Sequence, residues 1–166
     1  MMDPKDKIAA WMRAQYEGVI WVTLSVTVGD SPIENALFVA LDAWFTCNSE
    51  RDLFFRRVRN ASSYKDYDPN DPWLFWETQF QISNYRVDFI FCTEVQDCKP
   101  AGKMLVVECD GHEFHERTKA QAAADRARDR ALQDLGYMVY RFTGSEIYRD
   151  PMKCAQQILR WARFVE

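Results

Sequence analysis

No stretch of this chain is apolar for the roughly 20 residues that a membrane-spanning helix takes. The longest such run, near Val19–Val28, is interrupted by Thr and Ser. The opening Met-Met-Asp-Pro-Lys-Asp-Lys is charged and lacks the apolar centre of a secretory leader. Cys-x-x-Cys pairs are absent as well. The five cysteines (Cys47, Cys92, Cys98, Cys109 and Cys154) are odd in number, which points to free thiols in a reducing cytoplasm rather than a disulfide framework. A basic surplus is missing too: 21 Lys and Arg against 25 Asp and Glu leave a net charge of −4. Any nucleic-acid surface must therefore be a local groove and not a global field. There is no Ser-His-Asp pattern, phosphate loop or dinucleotide fingerprint, and no internal repeat.

What is present is an ordinary soluble globule, 48% hydrophobic and 28% charged over 166 residues. It is expected to form a single domain over 1–166. Residues 1–30 are expected to be an N-terminal decoration covering a sheet edge or a dimer surface. They comprise a helix opened by Asp3-Pro4 and running to about Glu17, then a β-branched strand from Val19 to Val28. Ser31-Pro32-Ile33-Glu34 is a capping box that starts a helix running to about Cys47. Trp73–Gln81 and Tyr85–Cys92 read as strands joined at Ser83-Asn84, and the polar Glu94–Gly102 reads as a loop leading to a strand from Met104. Thr118–Leu135 is a helix stopped by Gly136, with Ala120, Ala124, Ala127, Ala131 and Leu135 as its inward stripe. Tyr137–Phe142 is the next strand and Met152–Phe164 a closing helix. A helix between two strands suggests a crossover joining parallel strands.

The chemistry concentrates in Met104–His115, Met-Leu-Val-Val-Glu-Cys-Asp-Gly-His-Glu-Phe-His. Its β-branched run ends in Glu108 and Asp110, two residues apart, so both carboxylates leave one face of a strand. Like charges side by side repel, and a divalent cation is the common remedy; Mg²⁺ is usually held by one or two carboxylates plus phosphate and water. Upstream, Asp88 is the only acid within Tyr85-Arg86-Val87-Asp88-Phe89-Ile90-Phe91, where packing gives no reason for a charge.

An Asp, then Glu-x-Asp on the following strand, then an amphipathic helix resembles the PD-(D/E)XK nuclease superfamily. The wording Tyr-Arg-Val-Asp-Phe and Val-Val-Glu-Cys-Asp-Gly-His, with a further His three residues on, is similar to the branch of very-short-patch repair endonucleases. The resemblance spans roughly Ser31 to Ile147. It implies an α/β fold with a restriction-endonuclease-like core: a mixed sheet with an antiparallel three-strand meander, a crossover helix and flanking helices in the order α-β-β-β-α-β. It also implies Mg²⁺- or Mn²⁺-dependent hydrolysis of DNA, with Asp88, Glu108 and the Cys109 backbone carbonyl as metal ligands.

In the resembled pattern the last motif position is a Lys; here it is Asp110. Lys119, His112 or His115 is expected to supply the missing role, a His having a near-neutral pKa suited to proton transfer. His112 reads equally as an exposed turn residue, and His115 as a helix cap or a packed side chain. Cys109, His112 and His115 as zinc ligands would be only three, with Cys109 facing away from the acids. Glu34 matches a family position near the metal, but its capping box explains it without catalysis; both readings stand. Arg56, Arg57 and Arg59, interleaved with aromatics, and Arg128 on the long helix are candidate phosphate contacts. Solvated faces and ion pairs to Asp125 or Asp129 are the plain alternatives.

Two function classes follow: a DNA endonuclease of repair, restriction or mobile-element type, as monomer or homodimer, and an inactive nuclease-fold module that binds DNA or protein. The first expects Asp88 and Glu108 to converge without a local Arg or Lys on either. The second expects one of them to be neutralised by a salt bridge, for example to Arg86 or Arg141.

Overall fold

A computed structural model describes residues 29–47, 54–58, 73–97, 99–111 and 119–163. The expected N-terminal helix and strand, and His112 and His115, lie outside the described residues. The chain divides into two compact units, Phe54–Gly144 and Met1–Leu53 with Ser145–Glu166.

The first unit is a five-stranded sheet in the order β1-β2-β3-β4-β5, made of β1 (Phe54–Arg57), β2 (Trp73–Ile82), β3 (Tyr85–Gln96), β4 (Lys99–Asp110) and β5 (Met138–Thr143). Strands β2, β3 and β4 form the antiparallel meander, while β1 joins β2 and β5 joins β4 in parallel. Helix α2 (Lys119–Asp134) stands between β4 and β5 in the chain, as a parallel pair requires of its connection. Val87, Phe89, Ile90, Phe91, Leu105, Val106 and Val107 are fully buried, so the centre of the sheet is covered on both faces and its strands read as continuous apolar runs. Leu132 of α2 packs with Ile82, Val87, Ile90 and Val106.

The Ser83-Asn84 hairpin forms as expected, with Ile82 facing Tyr85 and Ser83 at φ +51°. Gln81 donates from its side-chain amide to the Ser83 carbonyl (2.7 Å), which pins the turn. Within the expected loop at 94–102, residues 94–96 and 99–102 are instead strand. The β3–β4 ladder continues from Glu94–Ala101 to Gln96–Lys99 after a register shift at Cys92–Glu94. Gly102 makes the shift possible. At its φ of +68°, an added Cβ would lie 2.7 Å from Thr93 Oγ1. That oxygen accepts the Lys103 N–H. The residues look loop-like because this ribbon is largely exposed and needs no apolar face.

The second unit contains α1 (Pro32–Cys47), α3 (Gly144–Arg149, whose first residue belongs to the sheet unit) and α4 (Pro151–Trp161). Ser31 Oγ accepts the Glu34 N–H (3.3 Å), and the Glu34 carboxylate accepts the Asp30 N–H (2.9 Å). The capping box therefore forms, reaching one residue further back than the usual pattern. Asp150 caps α4 by accepting the Lys153 N–H (3.0 Å), with Pro151 at the first position. Helices α1 and α4 pack together, and Leu37 and Leu41 of the first and Ile158 and Leu159 of the second are fully buried.

Candidate active site

The β3–β4 backbone ladder stops at Phe89 and Val107. One step further, Asp88 stands opposite Glu108. There the Asp88 carboxylate replaces the ladder by accepting the Cys109 N–H through Oδ2 (2.8 Å). Cross-strand partners share a face with Cβ atoms about 4.5–5.5 Å apart, so the two acids are neighbours. Glu108 in turn faces Arg141 on β5. Glu108 and Asp110 are both buried, 5% and 8% exposed. They lie on the shared face that their spacing predicts.

Strand β2 adds a residue with no mark in the sequence. Gln79 lies between Thr78, which faces Phe89, and Phe80, which faces Val87, and so is level with Asp88. Its φ is +50° in mid-strand. A non-glycine residue holds such a conformation at a cost of about 1–3 kcal/mol, and strain of this kind gathers at functional sites.

Helix α2 sets two more charges on this cluster. Arg128 Nη2 donates to Glu108 Oε1 at 2.6 Å and to the Arg86 carbonyl, with its guanidinium carbon 5.9 Å from the Tyr85 ring centre. The first bond overturns the expectation that neither acid has a local Arg or Lys. Asp129 accepts from Arg141 Nε (3.0 Å) and Nη2 (2.7 Å), and Arg141 Nη1 reaches Asp110 Oδ1 (3.2 Å). The expected alanine stripe is therefore wrong. Ala120, Ala124 and Ala127 are exposed and Leu135 is 52% exposed, while Arg128, Asp129 and Leu132 turn inward. A methyl group gains little from burial, whereas buried carboxylates on the sheet demand counter-charges. The helical spacing of Asp125, Arg128, Asp129 and Leu132 is the available signal.

The pairing does not neutralise Glu108. Burial first, then the charge of Asp88, pushes its carboxyl from the ordinary 4.5 to about 7, against the opposing pull of Arg128 and Arg141 and with a further push from Asp110. Burial alone would lower the Arg141 pKa, but its bonds to Asp129 and the charges of Asp129, Asp110 and Glu108 lift it above the ordinary arginine value. Four carboxylates (Asp88, Glu108, Asp110 and Asp129) thus meet two guanidinium groups. Asp110, expected among the catalytic residues, is engaged with Arg141.

The sheet, the meander, the crossover helix and these acids all fall within or beside a stretch that matches a known family. The model of the family REase_MTES_1575, which is restriction endonuclease-like, matches residues 74–161, more than half of the chain. The chain belongs to REase_MTES_1575. Membership agrees with the α/β fold and its mixed sheet and points to a nuclease-type function, with DNA as the substrate class that such a family implies. No curated protein and no solved structure matches the chain.

The other expected site residues scatter around the REase_MTES_1575 core. Lys119 is exposed at the first residue of α2. Arg57 is half-buried with its guanidinium carbon 4.6 Å from the Trp76 ring centre, a stacked cation in the sheet unit. Arg56 faces Phe75 on the β1–β2 ladder, and the Arg56 side chain and Arg59 lie outside the described residues. Glu34 belongs to the other unit, with its carboxylate on the Asp30 N–H. Among the described residues no three His, Cys, Asp or Glu side chains form a metal-holding group, and no helix is long and apolar enough to cross a membrane. Two facing carboxylates are nevertheless a donor set that suits Mg²⁺, which takes its remaining ligands from phosphate and water.

Proposed function

We propose that this protein is a metal-dependent endonuclease that hydrolyses phosphodiester bonds in DNA, of repair, restriction or mobile-element type, within the branch similar to very-short-patch repair endonucleases. One observation carries the reading: the β3–β4 register sets Asp88 opposite Glu108, with the Asp88 carboxylate accepting the Cys109 N–H. Mg²⁺ or Mn²⁺, when bound, supplies positive charge at the phosphoryl oxygens and makes a water acidic enough to attack. Asp88 and Glu108 hold the cation, and the Cys109 N–H fixes the Asp88 carboxylate in the required orientation. Lys119, His112 or His115 balances charge or moves the proton in place of the motif Lys that Asp110 displaces. The unbridged Cys92, Cys109 and Cys154 accord with a cytoplasmic setting.

The Arg128–Glu108 pair at 2.6 Å favours a second reading, a nuclease-fold module that binds DNA without cutting it. Nicking of supercoiled plasmid with Mg²⁺ or Mn²⁺ separates the two. Nicking by the native protein that both Asp88→Ala and Glu108→Ala abolish establishes the enzyme. No nicking, with DNA still retarded in a gel, establishes the binding module.

A further inference from the structure

We propose that Arg128 is the catalytic cation that meets the DNA phosphate, and that in the absence of DNA it rests on Glu108; this deepens the nuclease reading and depends on it. The two arginines of the cluster are bonded very differently. Arg141 commits Nε and Nη2 to Asp129 and Nη1 to Asp110, which ties α2 and β5 to β4. Arg128 uses the single nitrogen Nη2 for both Glu108 and the Arg86 carbonyl. Its Nε–H is buried and has no acceptor among the described residues.

A buried guanidinium N–H without an acceptor is costly, so this resting arrangement is an incomplete one. A phosphate completes it. The planar guanidinium fork matches phosphate oxygens two at a time, with donors that a carboxylate bound through one nitrogen leaves unspent. The side chain is 28% exposed, so solvent reaches part of it although its Nε is buried. Asp110 stands where the resembled pattern has its Lys, and it is engaged with Arg141. The positive charge therefore arrives from α2. Glu108 would hold the cation, and Arg128, no longer paired with it, would turn its remaining donors to the phosphate.

The test pairs a binding measurement with a rate. Mn²⁺ is titrated into DNA-free native protein, Arg128→Ala, Arg128→Gln and Arg128→Lys, and bound metal is read from the loss of the free Mn²⁺ paramagnetic signal. Single-turnover plasmid nicking with Mn²⁺ is followed in parallel at saturating DNA. The Ala and Gln variants should bind Mn²⁺ about two- to fivefold more tightly, the strength of a partly exposed ion pair, because the competitor for Glu108 is gone. They should nick roughly 100-fold more slowly, as expected for loss of one transition-state donor, with the Lys variant partly restored. Unchanged or weaker Mn²⁺ binding in the Gln variant, or a rate loss seen at limiting DNA that disappears at saturating DNA, overturns the proposal. Native protein that nicks alongside an equally active Gln variant overturns the Arg128 role alone, whereas native protein that neither binds Mn²⁺ nor nicks overturns the nuclease reading itself.

Discussion

Replacing Glu108 with Gln should make the protein more stable at alkaline pH. The Glu108 residue is 5% exposed and its pKa stands at about 7 in the folded protein, against an ordinary 4.5. Between those values the native state holds a proton that the unfolded chain has released. Native stability therefore falls as pH rises through this window and stays lowered above 7. The full effect is about 3 kcal/mol. Gln keeps an acceptor for Arg128 but carries no charge, so it escapes the loss. Urea midpoints of the native protein and Glu108→Gln, measured from pH 4 to pH 8.5, give the comparison. The gap should open in favour of the variant above pH 5 and level off near pH 8. Millimolar Mn²⁺ at pH 8 should close it by stabilising only the native protein. A gap independent of pH, or a native protein that gains on the variant as pH rises, refutes the reasoning. Arg128 would then satisfy Glu108 fully, and the inactive module would be the better reading.

Three further perturbations probe the scaffold of the site. Arg141→Ala leaves Asp110 and Asp129 without their shared guanidinium. It should lower stability by about 3–5 kcal/mol in urea; a native-like midpoint would deny the clamp. Leu132→Ala empties the one buried position of α2, and should cost about 2–5 kcal/mol, read as a lowered Tm. Gly102→Ala forces an alanine into φ +68° against Thr93. It should cost about 1–3 kcal/mol, with amide exchange accelerated first in the β3–β4 ribbon.

Much of the frame is legible because it is local. Val-Phe-Ile runs mark β3 and β4, Ser83-Asn84 marks the β2–β3 hairpin, and Ser31 with Glu34 marks the start of α1. Residue order alone also tells that Asp88 and Glu108 are acids with no packing reason to sit in apolar strands, and that Glu108 and Asp110 share a face. The ribbon at 94–102 is illegible because exposed strand pairs carry no apolar alternation to read.

Which charges meet is settled only by packing. Helical periodicity shows that α2 has an alanine side and a charged side, and the alanine side looks like the buried one. The sheet reverses that choice, since leaving Asp110 and Glu108 without counter-ions costs more than exposing a few methyl groups. The pairing of Arg141 with both Asp110 and Asp129, the left-handed Gln79 level with Asp88, and the buried Arg128 Nε without an acceptor among the described residues follow from that packing and from the β3–β4–β5 register. Residue spacing fixes directions along one element; only the balance of burial and charge between elements fixes which direction becomes the inside.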